Sequence, residues 1–250
     1  MITLQELCSY LDDLLQVENF KDYCPNGLQV EGKKEVRKVA TAVSASVETI
    51  KAAVEAGVDL LLVHHGMFWS RDPYPVVGAK REKLAMLIEN DISLLAYHLP
   101  LDAHAHFGNN WKAARDMGWE NLEPFDLDGM PVGVKGALPV KTREELEKLL
   151  EDYYAHRAHG APGGPQEIAT AVLISGGAYR YMSEAAKEGA DCFITGNFDE
   201  PAWHMAFEER INFFAMGHSA TEVVGPKALG NHLKKEFDLD VQFLDIYNPF

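Results

Sequence analysis

The chain has 250 residues and a formal charge of −15, with 47% hydrophobic and 24% charged residues. That length can bury a substantial core as one large α/β domain or two modest ones. No apolar run reaches the roughly 18 residues of a membrane span, and the acidity offers phosphate backbones no general attraction, so neither membrane nor nucleic acid is an expected partner. Met1 to Glu6 lacks the basic and apolar regions of an export signal. Cys8, Cys24 and Cys192 are odd in number and widely spaced, without a Cys-x-x-Cys pair. Disulfides and thiolate zinc sites are therefore not expected, and the reducing cytoplasm is the expected location.

Leu4, Leu7, Cys8, Leu11, Leu14 and Leu15 recur at three- and four-residue steps, and Thr3 with Glu6 makes a capping box, so the spacing predicts a packing helix over Thr3 to Leu15. After the turn residues Pro25-Asn26-Gly27, Val36 to Val43 reads as a strand, Val47 to Ala56 as a helix and Asp59 to Val63 as a buried strand, a βαβ unit. Lys80 to Asn90 is expected as a helix and Ile92 to Tyr97 as a third strand. Gly133 to Pro139 reads as a short strand, followed by a helix from Arg143 to Tyr154 that Thr142 and Glu145 open as a second capping box. His159 to Pro165, dense in glycine and proline, is expected as a loop or hinge. Pro226 to Glu236 then reads as a helix and Val241 to Ile246 as a strand, for which the first domain's sheet is one destination.

Three echoes organise the chain. Ala40-Thr41-Ala42-Val43 returns as Ala169-Thr170-Ala171-Val172, Glu55 to Asp59 as Lys187 to Asp191, and the helix and strand of Met86 to Tyr97 as Met205 to Met216. Repetition in the same order points to duplication. The expected architecture is two related α/β domains, residues 1–126 with 223–250 and residues 127–222.

Each repeat places potential ligands just beyond a buried strand, where α/β proteins put their chemistry. His64 and His65 follow Leu60-Leu61-Leu62-Val63, Asp102 follows the third strand, and His218 with Glu222 follows Ile211 to Met216. Taken singly, each has a plainer reading: a polar imidazole pair, a loop aspartate capping a helix, a helix-surface ion pair. Their equivalent topological positions favour metal ligation. Adjacent residues of a strand face opposite ways, so His64 and His65 are expected to leave the strand through a bend at Gly66. Five ligands with carboxylates suit two metals roughly 3.5–4 Å apart, which can lower the pKa of a bridging water. Histidine and carboxylate donors accept zinc, manganese, iron, cobalt or nickel. His98 and His104 lie near enough in sequence to assist proton transfer. No phosphate-cradling loop, dinucleotide fingerprint or serine-hydrolase elbow is present.

The segments that carry these residues resemble the Nif-three-like family, also known as GTP cyclohydrolase I type 2 homologues. The resemblance rests on Asn26-Gly27-Leu28-Gln29-Val30, Val63-His64-His65-Gly66, His98 to His104 with Gly108-Asn109-Asn110, Thr195-Gly196, Gly217 to Glu222 and Asn248-Pro249. It runs nearly end to end and fits the short bacterial branch without an inserted domain. It implies a metal site between two α/β domains, with two divalent ions held by His64, His65, Asp102, His218 and Glu222, and a homohexamer. Asn197 departs from the glutamate common after Thr-Gly in similar chains, which puts any acid/base role of that position in doubt. The expected function is a dinuclear metal-dependent hydrolase of a small molecule such as a nucleotide; the alternative is a non-enzymatic metal-binding adaptor or metal-delivery protein.

Overall fold

The computed structural model describes residues 1–250. The first half of the chain runs β1 (Ile2–Thr3), α1 (Leu4–Leu15), β2 (Gly27–Val30), β3 (Glu35–Val36), β4 (Lys38–Ser44), α2 (Val47–Ala56), β5 (Leu60–His65), α3 (Gly78–Glu89), β6 (Ser93–Ala96), α4 (Leu99–Ala103) and α5 (Asn109–Asp116). The rest runs β7 (Glu120–Leu127), β8 (Met130–Ala137), α6 (Arg143–Tyr154), β9 (His159–Pro162), β10 (Thr170–Leu173), α7 (Met182–Lys187), β11 (Cys192–Thr195), α8 (Pro201–Glu209), β12 (Asn212–Ala215), α9 (His218–Glu222), α10 (Val224–Phe237) and β13 (Asp240–Phe243). These form two compact units: unit 1 is Met1–Leu101 with Gly225–Tyr247, and unit 2 is Asp102–Val224 with Asn248–Phe250. The division falls earlier than residue 126 because Ala113, Ala114, Met117 and Trp119 belong to the apolar core of unit 2, together with Val134, Leu173 and Phe214.

In unit 1 the sheet order is β13-β4-β5-β6-β2, parallel except for the antiparallel edge strand β2. The run Leu60-Leu61-Leu62-Val63 has no polar alternation because both faces of β5 are buried. α1 has the expected capping box, with Thr3 Oγ1 accepting from Glu6 N and Glu6 Oε2 accepting from Thr3 N, and it buries Leu4, Leu7, Leu11 and Leu15. α2 starts at the Ser46 cap and stops at Gly57, whose φ of 62° is the left-handed geometry that glycine adopts without strain.

In unit 2 the order is β7-β8-β10-β11-β12-β9, with β10, β11 and β12 parallel and the others antiparallel. The glycine- and proline-rich segment expected as a loop is the edge strand β9, where Pro162 is tolerated because an edge needs only one row of ladder bonds. β7, absent from the sequence expectation, is mostly exposed and contains Pro124; its pairing with β8 defines it, not periodicity.

The two units repeat one frame. β4-β5-β6-β2 and β10-β11-β12-β9 have the same order and the same directions. The anchor is an aspartate before each central strand: Asp59 Oδ2 accepts from the amides of Arg37 and Lys38, and Asp191 Oδ2 from those of Ala169 and Thr170. Lys38 therefore corresponds to Thr170, Ser44 to Gly176 and His65 to Asn197. The Ala-Thr-Ala-Val match lies out of this register, since Ala40 corresponds to Val172, whereas the Asp59/Asp191 and Tyr97/Met216 echoes lie in it.

Candidate metal centre

Unit 1 brings three imidazoles together. His64 and His65 do not leave the strand as expected: His65 pairs with Ser44, and its carbonyl accepts from Ala45 N at 2.8 Å. Alternation separates their Cβ atoms, yet at the last residues of β5 the rings meet, with centroids 4.7 Å apart. The His98 ring lies 5.0 Å from that of His64 and 5.7 Å from that of His65. One ligand nitrogen from each residue falls within 4.8 Å of the others. Gly66 serves a different purpose from a bend: a Cβ there would strike the Gln29 side chain, which accepts from Met67 N and donates to Pro25 O, both at 2.8 Å.

The Nδ1 atom of every ring is held by an oxygen. His64 Nδ1 lies 3.0 Å from Tyr97 O, His65 Nδ1 2.9 Å from Ser44 Oγ and His98 Nδ1 2.9 Å from Asp22 Oδ1. A carbonyl and a carboxylate only accept, so His64 and His98 each carry hydrogen on Nδ1. Asp22 is buried and also accepts from Cys24 N, Asn26 Nδ2 and Leu99 N. Burial pushes its carboxyl upward, but hydrogen bonding and attraction from His98, with the bonds from Asn26 and Cys24, outweigh that and hold it at about 2. Asp22, Ser44 and Gln29 carry no spacing signal and were not among the expected site residues.

Unit 2 presents the remaining candidates. Asp102 lies in α4 and is buried, and its Oδ1 accepts from Asn109 Nδ2 at 2.8 Å and Ser175 Oγ at 2.9 Å. Asn110 fixes this arrangement by accepting from Ser175 N at 2.6 Å and donating to Val132 O at 2.8 Å. His218 and Glu222 span one turn of α9, with His218 Nε2 3.1 Å from Glu222 Oε1. Gly176, with φ 66°, passes so close that a Cβ would collide with Glu222 Oε1 and lie 3.2 Å from His218 Nε2. Asn197 N donates to Gly176 O at 3.0 Å. His104 is turned to local structure: its Nδ1 accepts from His106 N and Phe107 N, and its ring stacks on Phe107 at 4.9 Å.

The donors are nitrogen and carboxylate oxygen, several already oriented by outer partners, and this set fits divalent first-row ions. Thiolates are absent from it. All three cysteines are free, and burial pushes Cys8 and Cys24 to about 11 and Cys192 to about 12, so they stay protonated at neutral pH. No helix is long and apolar enough to cross a membrane.

The family model described as Duf34/NIF3 (NGG1p interacting factor 3) matches residues 2–249. A Chlamydia pneumoniae protein named GTP cyclohydrolase 1 type 2 homolog is 50% identical over 251 residues, covering 100% of both chains. A Yersinia pestis protein with the same name is 42% identical over 250 residues, covering 98% of both. Among solved structures, a Thermus thermophilus protein is similar with a TM-score of 0.92 and 37% identity over 100% of both chains.

Proposed function

The chain belongs to the Duf34/NIF3 family, and on that premise we propose that it is a dinuclear metal-dependent hydrolase of a small molecule, with nucleotides the first class to test. His64, His65, Asp102, His218 and Glu222 hold the two divalent ions in this reading. The observation that carries it is the orientation of donors: the Nδ1 atoms of His64 and His65 face Tyr97 O and Ser44 Oγ, and Asn109 and Ser175 fix Asp102. Bound divalent ions would supply Lewis acidity and lower the pKa of water towards neutrality. Asp102 and Glu222 supply negative charge from buried positions, which costs least when a cation is shared. Proton transfer falls to an imidazole outside the coordination sphere, and His98 and His104 are the two on offer. His104, with Nδ1 accepting from backbone amides, keeps its hydrogen on Nε2 and can donate a hydrogen bond from there.

The substrate class follows from the relatives' name, which puts GTP at the head of a panel with other nucleotides, cyclic phosphodiesters and small amides. A cytoplasmic homohexamer is the expected form. The test begins with metal analysis of purified protein under replete conditions: about two ions per chain are expected, and fewer in His65→Ala and Glu222→Ala. A full complement in both variants overturns the ligand set. Turnover that His218→Ala abolishes while the assembly persists supports the hydrolase; none on any class by the loaded protein leaves a metal-binding adaptor.

A further inference from the structure

We infer that Tyr23, backed by Trp69, forms a stacking platform in unit 1 for a flat nitrogen heterocycle, so that the site takes purine-bearing molecules in preference to small amides. The inference rests on the small-molecule reading above and narrows its substrate class. Tyr23 is 56% exposed, although it stands between Cys24 and Asp22, whose side chains are buried. Those neighbours are pinned: Asp22 Oδ1 accepts from Cys24 N at 3.1 Å, and Asp22 Oδ2 from Leu99 N at 3.0 Å. The ring therefore stands outside a segment that is held from within. A second segment supplies the backing. Ser70 N donates to Tyr23 O at 2.9 Å, and Gln29 joins the same two segments by donating to Pro25 O and accepting from Met67 N, both at 2.8 Å. The Trp69 ring lies 5.6 Å from that of Tyr23, tilted by 35°. Both rings meet His98 nearly edge to face, Tyr23 at 5.1 Å and Trp69 at 5.3 Å.

Fixing two rings in advance reduces the ordering cost of binding a third. A ring inserted between two others needs a spacing of about 7 Å, twice a carbon contact distance, and 5.6 Å excludes that. The ligand ring therefore lies on the exposed face of Tyr23, with Trp69 as support. The face of a phenol ring carries the negative part of its quadrupole, which favours an electron-poor heterocycle in an offset stack. A small aliphatic amide has no aromatic face and gains nothing there. The platform also adjoins the candidate chemistry: Tyr23 touches His98, whose ring centroid is 5.0 Å from that of His64. A heterocycle on Tyr23 thus stands one imidazole away from His64. Tyr23 acts as a specificity-determining residue, and Trp69 as the residue that positions it.

The test compares GMP with ribose 5-phosphate, which carries the same phosphate without the base, by calorimetry on the zinc-loaded full chain. GMP is expected to bind more tightly. Tyr23→Leu should weaken GMP roughly 5- to 150-fold, the worth of one base stacked on one aromatic side chain, and leave ribose 5-phosphate unchanged. Tyr23→Phe keeps the aromatic face and should retain GMP. No GMP binding, equal affinities of the two probes in the wild type, or a Tyr23→Leu variant that binds GMP as the wild type does, overturns the platform. Equal losses for both probes in Tyr23→Leu do the same, since they mark a general disturbance of the site. If Tyr23→Leu does not fold, Trp69→Leu carries the test: it must weaken GMP and spare ribose 5-phosphate. Base-dependent binding that Tyr23→Leu removes, with no turnover of any nucleotide, would keep the platform and defeat the hydrolase reading. Turnover of a small amide that is indifferent to Tyr23→Leu would do the reverse.

Discussion

Units 1 and 2 share four strands in the same order but place their chemistry differently. In unit 1 the central strand ends in two imidazoles, and Ser44 on the neighbouring strand supports one of them through Oγ. In unit 2 the corresponding positions are Gly196, Asn197 and Gly176, which are small or neutral, and the donors sit instead on α9 after the third strand. Removing side chains there makes room: a Cβ on Gly196 would come within 2.7 Å of His218 Cα, and one on Gly176 would collide with Glu222. A duplicated frame thus preserves its ladder while one copy adds donors to a strand end and the other clears the strand end for a helix.

Substitutions can break that division of labour. The largest effect is expected from Gly196→Ala, which forces a methyl against the backbone of His218 and Gly176; a loss of about 3 kcal/mol in denaturant unfolding should accompany reduced metal content. Near-wild-type values for both would show that the clearance is not needed. Ser175→Ala removes a hydrogen bond to the buried Asp102 carboxylate and should cost about 1.5–3 kcal/mol without altering the sheet. Ser44→Ala, at the end of the first strand of the other frame, removes support from a half-buried imidazole and should cost about 1 kcal/mol, with a larger fractional loss in zinc affinity measured by competition. Equal stability losses in the two serine variants would erase the contrast between the units.

The smallest effect concerns Asp59. Partial burial raises its carboxyl pKa, but Lys33 and the amides of Lys38 and Arg37 outweigh this, so the folded value lies below the usual 3.8. Its contribution to stability is present above pH 3.8 and fades as pH falls through the lower folded value. Asp59→Asn should therefore lower stability slightly at pH 7 and flatten its dependence on pH below about 4. An unaltered acid limb in urea titrations would count against it.

Elements governed by local chemistry were legible in the sequence. Thr3 and Thr142 each announced a capping box, Gly57 and Asp59 marked the turn into β5, and unbroken apolar runs marked strands buried on both faces. Positions set by long-range pairing were not. β7 and β9 have exposed or proline-bearing sequences that become strands only because β8 and β12 offer ladders. Beyond the third strand the frames diverge: Ala96 corresponds to Ala215 and His98 therefore to Gly217, whose φ of 84° opens α9. Asp22, 76 residues before His98, had no periodic or motif signal that linked the two. The five candidate ligand residues could be singled out because each stands at or shortly after an apolar strand run, a property of the sequence alone.

One of the two parallel partners of β4 is β13, from the far end of the chain. A ribosome adding about 5–20 residues per second would make residues 102–224 before it supplied that partner, a wait of roughly ten seconds. Throughout that interval the edge of β4 can template pairing with a neighbouring nascent chain. Crowded polysomes should therefore favour misassembly at this edge, and slowing synthesis across unit 2 should worsen the yield of folded protein.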